Sequence, residues 1–387
     1  MKITSVKAYV VNPELGDSPF IKDDWQWTYV VIDTDEGISG WGESSNVPRK
    51  GSHISAHGIS IVEDALVGKD PSDIEHIWHT IYRNYTYLGS RGFPTTLLSG
   101  IDIALWDLKG KVLNLPIYDL LGGKVRENVP LYANGWFDGC LTPEEYADAA
   151  KKIIANGHDT IKLDPFLEMI PFHTTYIDGK ISKKGENEGY EIVSAVRESV
   201  GKNVNILIDA HGNFDVPTAV RLSNKLYEDS DIGWFEEPVP PESFHALENF
   251  RNQTFAPVCV GERLFTRWDF QHVLENNLAD YIMPDVTWSG GISELRKISN
   301  LSELYYIPIS PHNAQGAGQI LAGAHIGMHV PNFYKLEHCI SFIPGYNEFL
   351  KEPINFDGNK LVMPKGPGLG IDLDMEKLIY KLHEDWK

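Results

Sequence analysis

Three carboxylates stand in strand-like segments near the middle of the chain: Asp209 in NILIDAHG, Glu236 in GWFEEP and Glu262 in VCVGERL. The gaps between them are 27 and 26 residues, about one strand–loop–helix–loop unit. Parallel neighbouring strands of a barrel would bring all three side chains to its C-terminal mouth, where barrel active sites form. Three hard oxygen ligands from three strand ends suit Mg²⁺, which keeps its remaining positions for water or substrate. Further polar residues continue in phase. Asp285 in MPDV, His312 in SPHN and Glu337 in KLEH follow at steps of 23, 27 and 25 residues. Lys162 and Asp164 close the segment TIKLD. His211 lies two residues beyond Asp209, which on a strand puts both on one side. Taken singly, such a carboxylate is commonly a helix cap or a surface charge; the shared phase of the set points to chemistry.

One chemistry that a metal, a histidine and a carboxylate at one rim could serve is proton abstraction next to a carboxylate. The proton is very weakly acidic, so the developing enediolate needs charge stabilisation, which a divalent cation supplies as a Lewis acid. His312 has the side chain for the base, and a carboxylate such as Asp285 would fix its tautomer and raise its basicity. If a β-hydroxyl must leave, it needs a proton, and His211 can give it.

These residues require a particular scaffold. Eight strand candidates, at 129–136, 160–164, 204–212, 232–238, 257–264, 281–286, 306–313 and 333–340, alternate with helical segments such as TPEEYADAAKKIIANG. The pattern predicts an α/β fold, a (β/α)₈ TIM-like barrel or its (β/α)₇β form, over residues 126–345. Residues 1–125 read as a β-meander followed by helices, an α+β capping domain. Within it, SDIEHIWHTIYRNY opens with a Ser cap and a Glu three residues on. Residues 346–387 lack a strand–helix repeat and are expected to return to the cap. The segment 166–188 is long for a βα loop, with YIDGKIS a candidate hairpin, and the basic residues of ISKKG read as a solvated loop. The polar-aromatic stretches 23–27, 44–51 and 84–93 are candidate lids or ordinary turns. Trp288 either shapes the pocket or packs.

Composition narrows the partners. A chain of 387 residues fits a barrel of about 250 residues with roughly a hundred more. The formal charge of −20 argues against nucleic acid and anionic membranes. An anionic substrate would then need a local positive centre, such as a metal. Cys140, Cys259 and Cys339 are odd in number and far apart, and read as free thiols in a reducing compartment. The first residues show no signal-peptide core, and no apolar run reaches 18 residues, so the expected location is the cytoplasm.

IDAHG, WFEEP, GERL, PDV-x-W-S-GG and SPHN, taken together, resemble the enolase superfamily, in its mandelate racemase/muconate lactonizing-like branch of acid-sugar dehydratases. GIDIALWDLKGKVLNLPIYDLLGG looks like the last cap helices of that family. The resemblance implies Mg²⁺ held by Asp209, Glu236 and Glu262, with Glu237 facing away. It implies His312 as general base with Asp285 as its partner, in keeping with the family's use of a Lys or His base with Mg²⁺. It implies His211 as general acid, and Glu337 as a carboxylic acid donating a hydrogen bond to the substrate carboxylate. A homo-oligomer is implied as well. Many relatives carry Lys-x-Lys on the second strand, the second lysine being a base on the opposite face; here the motif is Lys162-Leu163-Asp164, so that lysine is missing and two-base racemisation is not expected. Lys162 would supply positive charge, and Asp164 would touch substrate hydroxyls or a metal-bound water. The expected reaction is loss of water from an aldonic acid (gluconate, galactonate, or a pentonate such as arabinonate or xylonate), giving a 2-keto-3-deoxy acid. Alternatives are a sugar-acid cycloisomerase or epimerase using the same enediolate step, a non-catalytic sugar-acid-binding barrel, and a metal-dependent hydrolase. The last usually relies on His-rich Zn²⁺ sites, and the chain shows no HxH or HExxH spacing.

Overall fold

The structure is a computed structural model that describes residues 1–15, 25–45, 51–87, 89–169 and 179–386. An antiparallel meander, β1 (Ile3–Val11), β2 (Trp27–Thr34) and β3 (Ser39–Glu43), carries α1 (Gly51–Leu66), α2 (Ile74–Asn84) and α3 (Phe93–Leu113) on one face, followed by α4 (Ile117–Leu121). Val6, Val30, Ile32, Ile59, Trp78 and Ile101 fill this cap core. Glycines let β3 and α3 touch: a Cβ at Gly40 would sit 2.3 Å from the Ala104 carbonyl, and one at Gly42 equally close to that of Gly100. The Ser cap expected for α2 is not formed. The helix starts one residue later, with Asp73 at the N-cap and no side-chain cap bond.

The barrel runs through β4 (Val129–Asn134), β5 (Thr160–Leu163), β6 (Asn205–Asp209), β7 (Trp234–Glu236), β8 (Val258–Val260) and β9 (Tyr281–Ile282), all parallel. The expected seventh strand shrinks to Ile309, which bridges Ile282 and Phe333. Then β10 (Leu336–Cys339) pairs with β4 and closes the ring. The helices between are α5 (Pro143–Ala155), α6 (Lys183–Val200), α7 (Val216–Ser230), α8 (Phe244–Arg251), α9 (Thr266–Glu275), α10 (Gly291–Glu303) and α11 (Ala317–His329). After β10 comes the short α12 (Ile343–Glu348), so the form is (β/α)₇β. Lys183–Gly185, expected in a solvated loop, form the first turn of α6, because Ser182 caps it through the Gly185 N–H. The expected hairpin at YIDGKIS and the lid stretches fall partly outside the described residues, at 176–178, 23–24, 46–50 and 88.

The C-terminal part serves both halves. β11 (Asn355–Asp357) and β12 (Lys360–Val362) form a hairpin absent from the sequence reading, and β12 adds antiparallel to β4. Beyond it, Trp41 Nε1 donates to the Ile371 carbonyl at 2.9 Å, and Leu382, after α13 (Met375–Tyr380), bridges to Val11.

Capping differs along the barrel. Thr142, Ser182, Asp215 and Ser243 cap α5 to α8 with their own side chains, each satisfying an N–H that the helix start leaves open. By contrast α10 and α11 start at Gly290 and Gly316, with no local side-chain cap. The capping domain supplies carboxylates instead. Asp102 of α3 accepts the Ser293 N–H at 3.0 Å, and Glu43 at the end of β3 accepts the N–H groups of Gly316 and Gln319 at 2.6 and 2.9 Å. Both carboxylates are buried, and burial pushes each up to about 7 despite these donors.

Candidate active site

The barrel's C-terminal rim gathers the candidate residues. β6 and β7 are in register with Asp209 opposite Glu236, and Glu262 follows β8 by two residues. One oxygen from each of these carboxylates lies within 4.8 Å of the others, all buried. Lys162, on β5, reaches into the same space and is 1% exposed. Its Nζ is 3.0 Å from Asp209 Oδ2, 2.5 Å from Glu236 Oε1 and 2.9 Å from Glu337 Oε1. Trp234, on β7 inside the barrel, donates its indole N–H to Glu236 Oε2 at 2.8 Å.

Opposite stands the histidine–aspartate pair. His312 Nδ1 is 2.6 Å from Asp285 Oδ2, and its Nε2 is 3.6 Å from Glu262 Oε2 and 3.9 Å from Glu337 Oε2. Trp288 lies against the imidazole, ring centroids 5.1 Å apart. His211 Nδ1 is 3.3 Å from Asp209 Oδ1 and 3.6 Å from Asp164 Oδ2. The route by which His211 arrives differs from the strand parity expected. β6 ends at Asp209, and His211 turns back with φ of +48°. Glu237, expected to face away, is buried and accepts the Gly261 N–H at 2.9 Å, its own backbone at φ of +41°.

Charge density at this rim is high. Asp164, Asp209, Glu236, Glu262, Asp285 and Glu337 face the permanent cations Lys162 and Arg263, the latter 3.3 Å from Glu262. Burial pushes Asp209 up, but His211 and Lys162 outweigh it and hold the group well below the usual carboxylate range. Glu236 goes the other way, pushed well up by burial and by the Asp209 charge. Burial and Asp209 likewise raise Asp164. Burial opposes charge on His312, yet the Asp285 hydrogen bond and the charges of Glu337 and Glu262 raise it to about 9. Burial lowers His211. A hard divalent cation fits this place: its donors are carboxylate oxygens, they converge, and like charge forced together is what a cation relieves.

Several residues here escaped sequence reading. Asn134, at the end of β4, donates to Glu337 Oε1 at 2.7 Å; it is in phase with the other strand ends and could have been found by extending the series one unit back. Asn313 gives its backbone N–H to Glu337 Oε2 at 2.9 Å. Toward its neighbours, Glu337 is therefore an acceptor on both oxygens, including from Lys162.

A parallel barrel under an α+β cap, with carboxylates and histidines gathered at its rim, defines the capped barrel enzymes. The chain belongs to the mandelate racemase/muconate lactonizing enzyme family of the enolase superfamily. Residues 22–122 match that family's N-terminal domain, and residues 145–377 match the enolase C-terminal domain-like family. The chain is 33% identical to a D-gluconate dehydratase of Thermoproteus tenax, over 91% of this chain and 69% of that protein. It is 30% identical to a D-xylonate dehydratase of Haloferax volcanii over 97% and 90%, and 33% identical to a D-galactonate dehydratase of Pectobacterium atrosepticum over 100% and 96%. Among solved structures, an enolase-superfamily member from Salmonella Typhimurium superposes with a TM-score of 0.89 at 31% identity, covering 98% of this chain and 97% of that one. A mandelate racemase/muconate lactonizing enzyme-like protein from Rubrobacter xylanophilus gives 0.87 at 33% identity, covering 100% and 98%. Among the described residues no helix is long and apolar enough to cross a membrane.

Proposed function

We propose that the protein is a Mg²⁺-dependent dehydratase of an aldonic acid, removing water across C2 and C3 to give a 2-keto-3-deoxy sugar acid. The observation that carries this reading is the placement of two histidines on either side of one carboxylate cluster, His312 with Asp285 and His211 with Asp164. Asp209, Glu236 and Glu262 would hold the cation, which supplies Lewis-acid stabilisation of the enediolate. His312 Nε2 takes the C2 proton, and Asp285 keeps the other ring nitrogen protonated and oriented. The electron pair left at C2 forms the C2–C3 double bond as the C3–O bond breaks. His211 gives its proton to the departing hydroxide, so water leaves, and the enol product tautomerises to the 2-keto acid. Lys162 keeps the cluster from excess negative charge, and Glu337, tied to Lys162, Asn134 and Asn313, braces the side of the pocket that receives the substrate carboxylate. Asp164 stands where the second lysine of Lys-x-Lys would be, which weighs against two-base epimerisation through a lysine on that face.

The test is a panel of aldonic acids incubated with purified protein and Mg²⁺, with 2-keto-3-deoxy products detected colorimetrically and EDTA-treated protein as control. A metal-dependent product from one or two acids is expected. Exchange of the C2 proton in D₂O without that product would replace dehydration by isomerisation.

A further inference from the structure

The His312–Asp285 pair is held by groups that stand outside the reacting space. Asp285 Oδ1 accepts the N–H and the hydroxyl of Thr287, each at 2.7 Å. Its Oδ2 accepts Gln319 Nε2 at 2.5 Å and faces His312 Nδ1 at 2.6 Å. The Gln319 amide is fixed end for end, because its Oε1 accepts the Gln315 N–H at 2.6 Å and only the NH₂ end can donate. Gln319 belongs to the first turn of α11, and that turn is secured from the capping domain by Glu43. Two glycines make room. A Cβ at Gly316 would lie 2.7 Å from Glu43 Oε1, and one at Gly318 would lie 2.6 Å from Glu43 Cβ. Glycine inside a helix costs about 1 kcal/mol relative to alanine, and here it admits a carboxylate. A second arm runs beside the first: the Ser45 carbonyl accepts Trp288 Nε1 at 2.9 Å, and Trp288 lies against His312.

We propose that Glu43 and Gln319 are positioning residues for proton abstraction: the cap carboxylate fixes the first turn of α11, and the Gln319 amide on that turn fixes Asp285 against His312 Nδ1. With Oδ2 gripped by the amide, Asp285 presents one direction to the imidazole, and Nε2 stays aimed at the carboxylate cluster. Without that grip the carboxylate pivots on Thr287 and the ring loses its aim.

The kinetic arm of the test rests on the aldonate dehydratase reading; the spectroscopic arm does not. Full-length Gln319→Leu, Glu43→Gln and Gly318→Ala proteins are compared with the parent. Gly318→Ala is the sharpest of them, since alanine favours helix on its own while displacing Glu43. The readouts are kcat, KM, the isotope effect with C2-deuterated substrate, and the far-downfield proton resonance of the His312–Asp285 hydrogen bond, identified by its loss in His312→Asn. In each variant kcat is expected to fall roughly 10–100-fold with KM within about twofold. The isotope effect should rise and the resonance should shift or broaden. Retention of kcat within about twofold in both Gln319→Leu and Gly318→Ala would overturn the proposal, as would lost turnover with an unchanged resonance. Should no aldonate be turned over by the parent, the resonance decides alone: movement supports the positioning role, and an unchanged signal refutes it.

Discussion

Lys162→Met removes the ammonium that sits among the buried carboxylates. At its distances of 3.0, 2.5 and 2.9 Å, each attraction amounts to about 6 kcal/mol at an effective dielectric of about 20, before desolvation is subtracted. Taking one partner from a buried ion cluster leaves a net loss of about 3–5 kcal/mol. That corresponds to roughly 4–6 °C in Tm for a chain of this size. The loss applies to protein in EDTA, where Lys162 is the main compensation for Asp209, Glu236 and Glu337. With saturating Mg²⁺ the cation compensates two of these carboxylates, Asp209 and Glu236, and the loss should shrink to about 1–2 kcal/mol. Urea unfolding of parent and variant, each in EDTA and in Mg²⁺, closes a four-state cycle. Losses equal in both conditions to within about 0.5 kcal/mol would show that lysine and cation act on different groups, and the assignment of the metal site would fall with them.

Other outcomes can be checked alongside. His312→Asn should abolish turnover and C2-proton exchange while isothermal titration still shows Mg²⁺ binding; residual exchange at the parental rate would remove it as the base. His211→Asn should keep C2-proton exchange in D₂O and lose the dehydrated product; loss of both together would place His211 with the metal rather than with the leaving group. Glu262→Gln should weaken Mg²⁺ binding by roughly 10–100-fold, read by titration. Asp102 and Glu43 are raised to about 7 in the folded protein, while the unfolded chain ionises them near 4. Between those values the folded state holds more protons, so each group costs stability as pH rises, up to about 3–4 kcal/mol. The stability difference between parent and Asp102→Asn should therefore change across pH 4 to 7 and level off above; a flat difference would contradict the burial argument.

Much of the rim was legible from spacing, because one strand–helix unit repeats at a nearly fixed length and each unit ends on one polar residue. Asp209, Glu236, Glu262, Asp285, His312 and Glu337 follow from that regularity. The strands themselves were overestimated. β9 keeps two residues and the seventh strand one, since inward packing fixes these segments with little ladder pairing. The parity argument for His211 failed at the backbone, where the chain turns left-handed right after the strand. What spacing could not show are contacts made across the fold: Glu43 meets Gln319 over 276 positions, and nothing local in GWGES or AQGAG reveals the partner. Glycines at Gly316 and Gly318 were the sole trace, and a glycine signals only that something comes close.

The carboxylates that the cap inserts at the starts of α10 and α11 bear on how interchangeable the two halves are. A barrel expressed alone would carry open N–H groups where Asp102 and Glu43 now sit, and a cap alone would leave Asp102 without its Ser293 donor and Glu43 with only the Ser45 hydroxyl. The halves are therefore not modules that can be traded freely. A chimera joining this barrel to a relative's cap needs an acid at both places, and Gly318 to receive one of them. Where that match is missing, the hybrid should melt in two calorimetric steps.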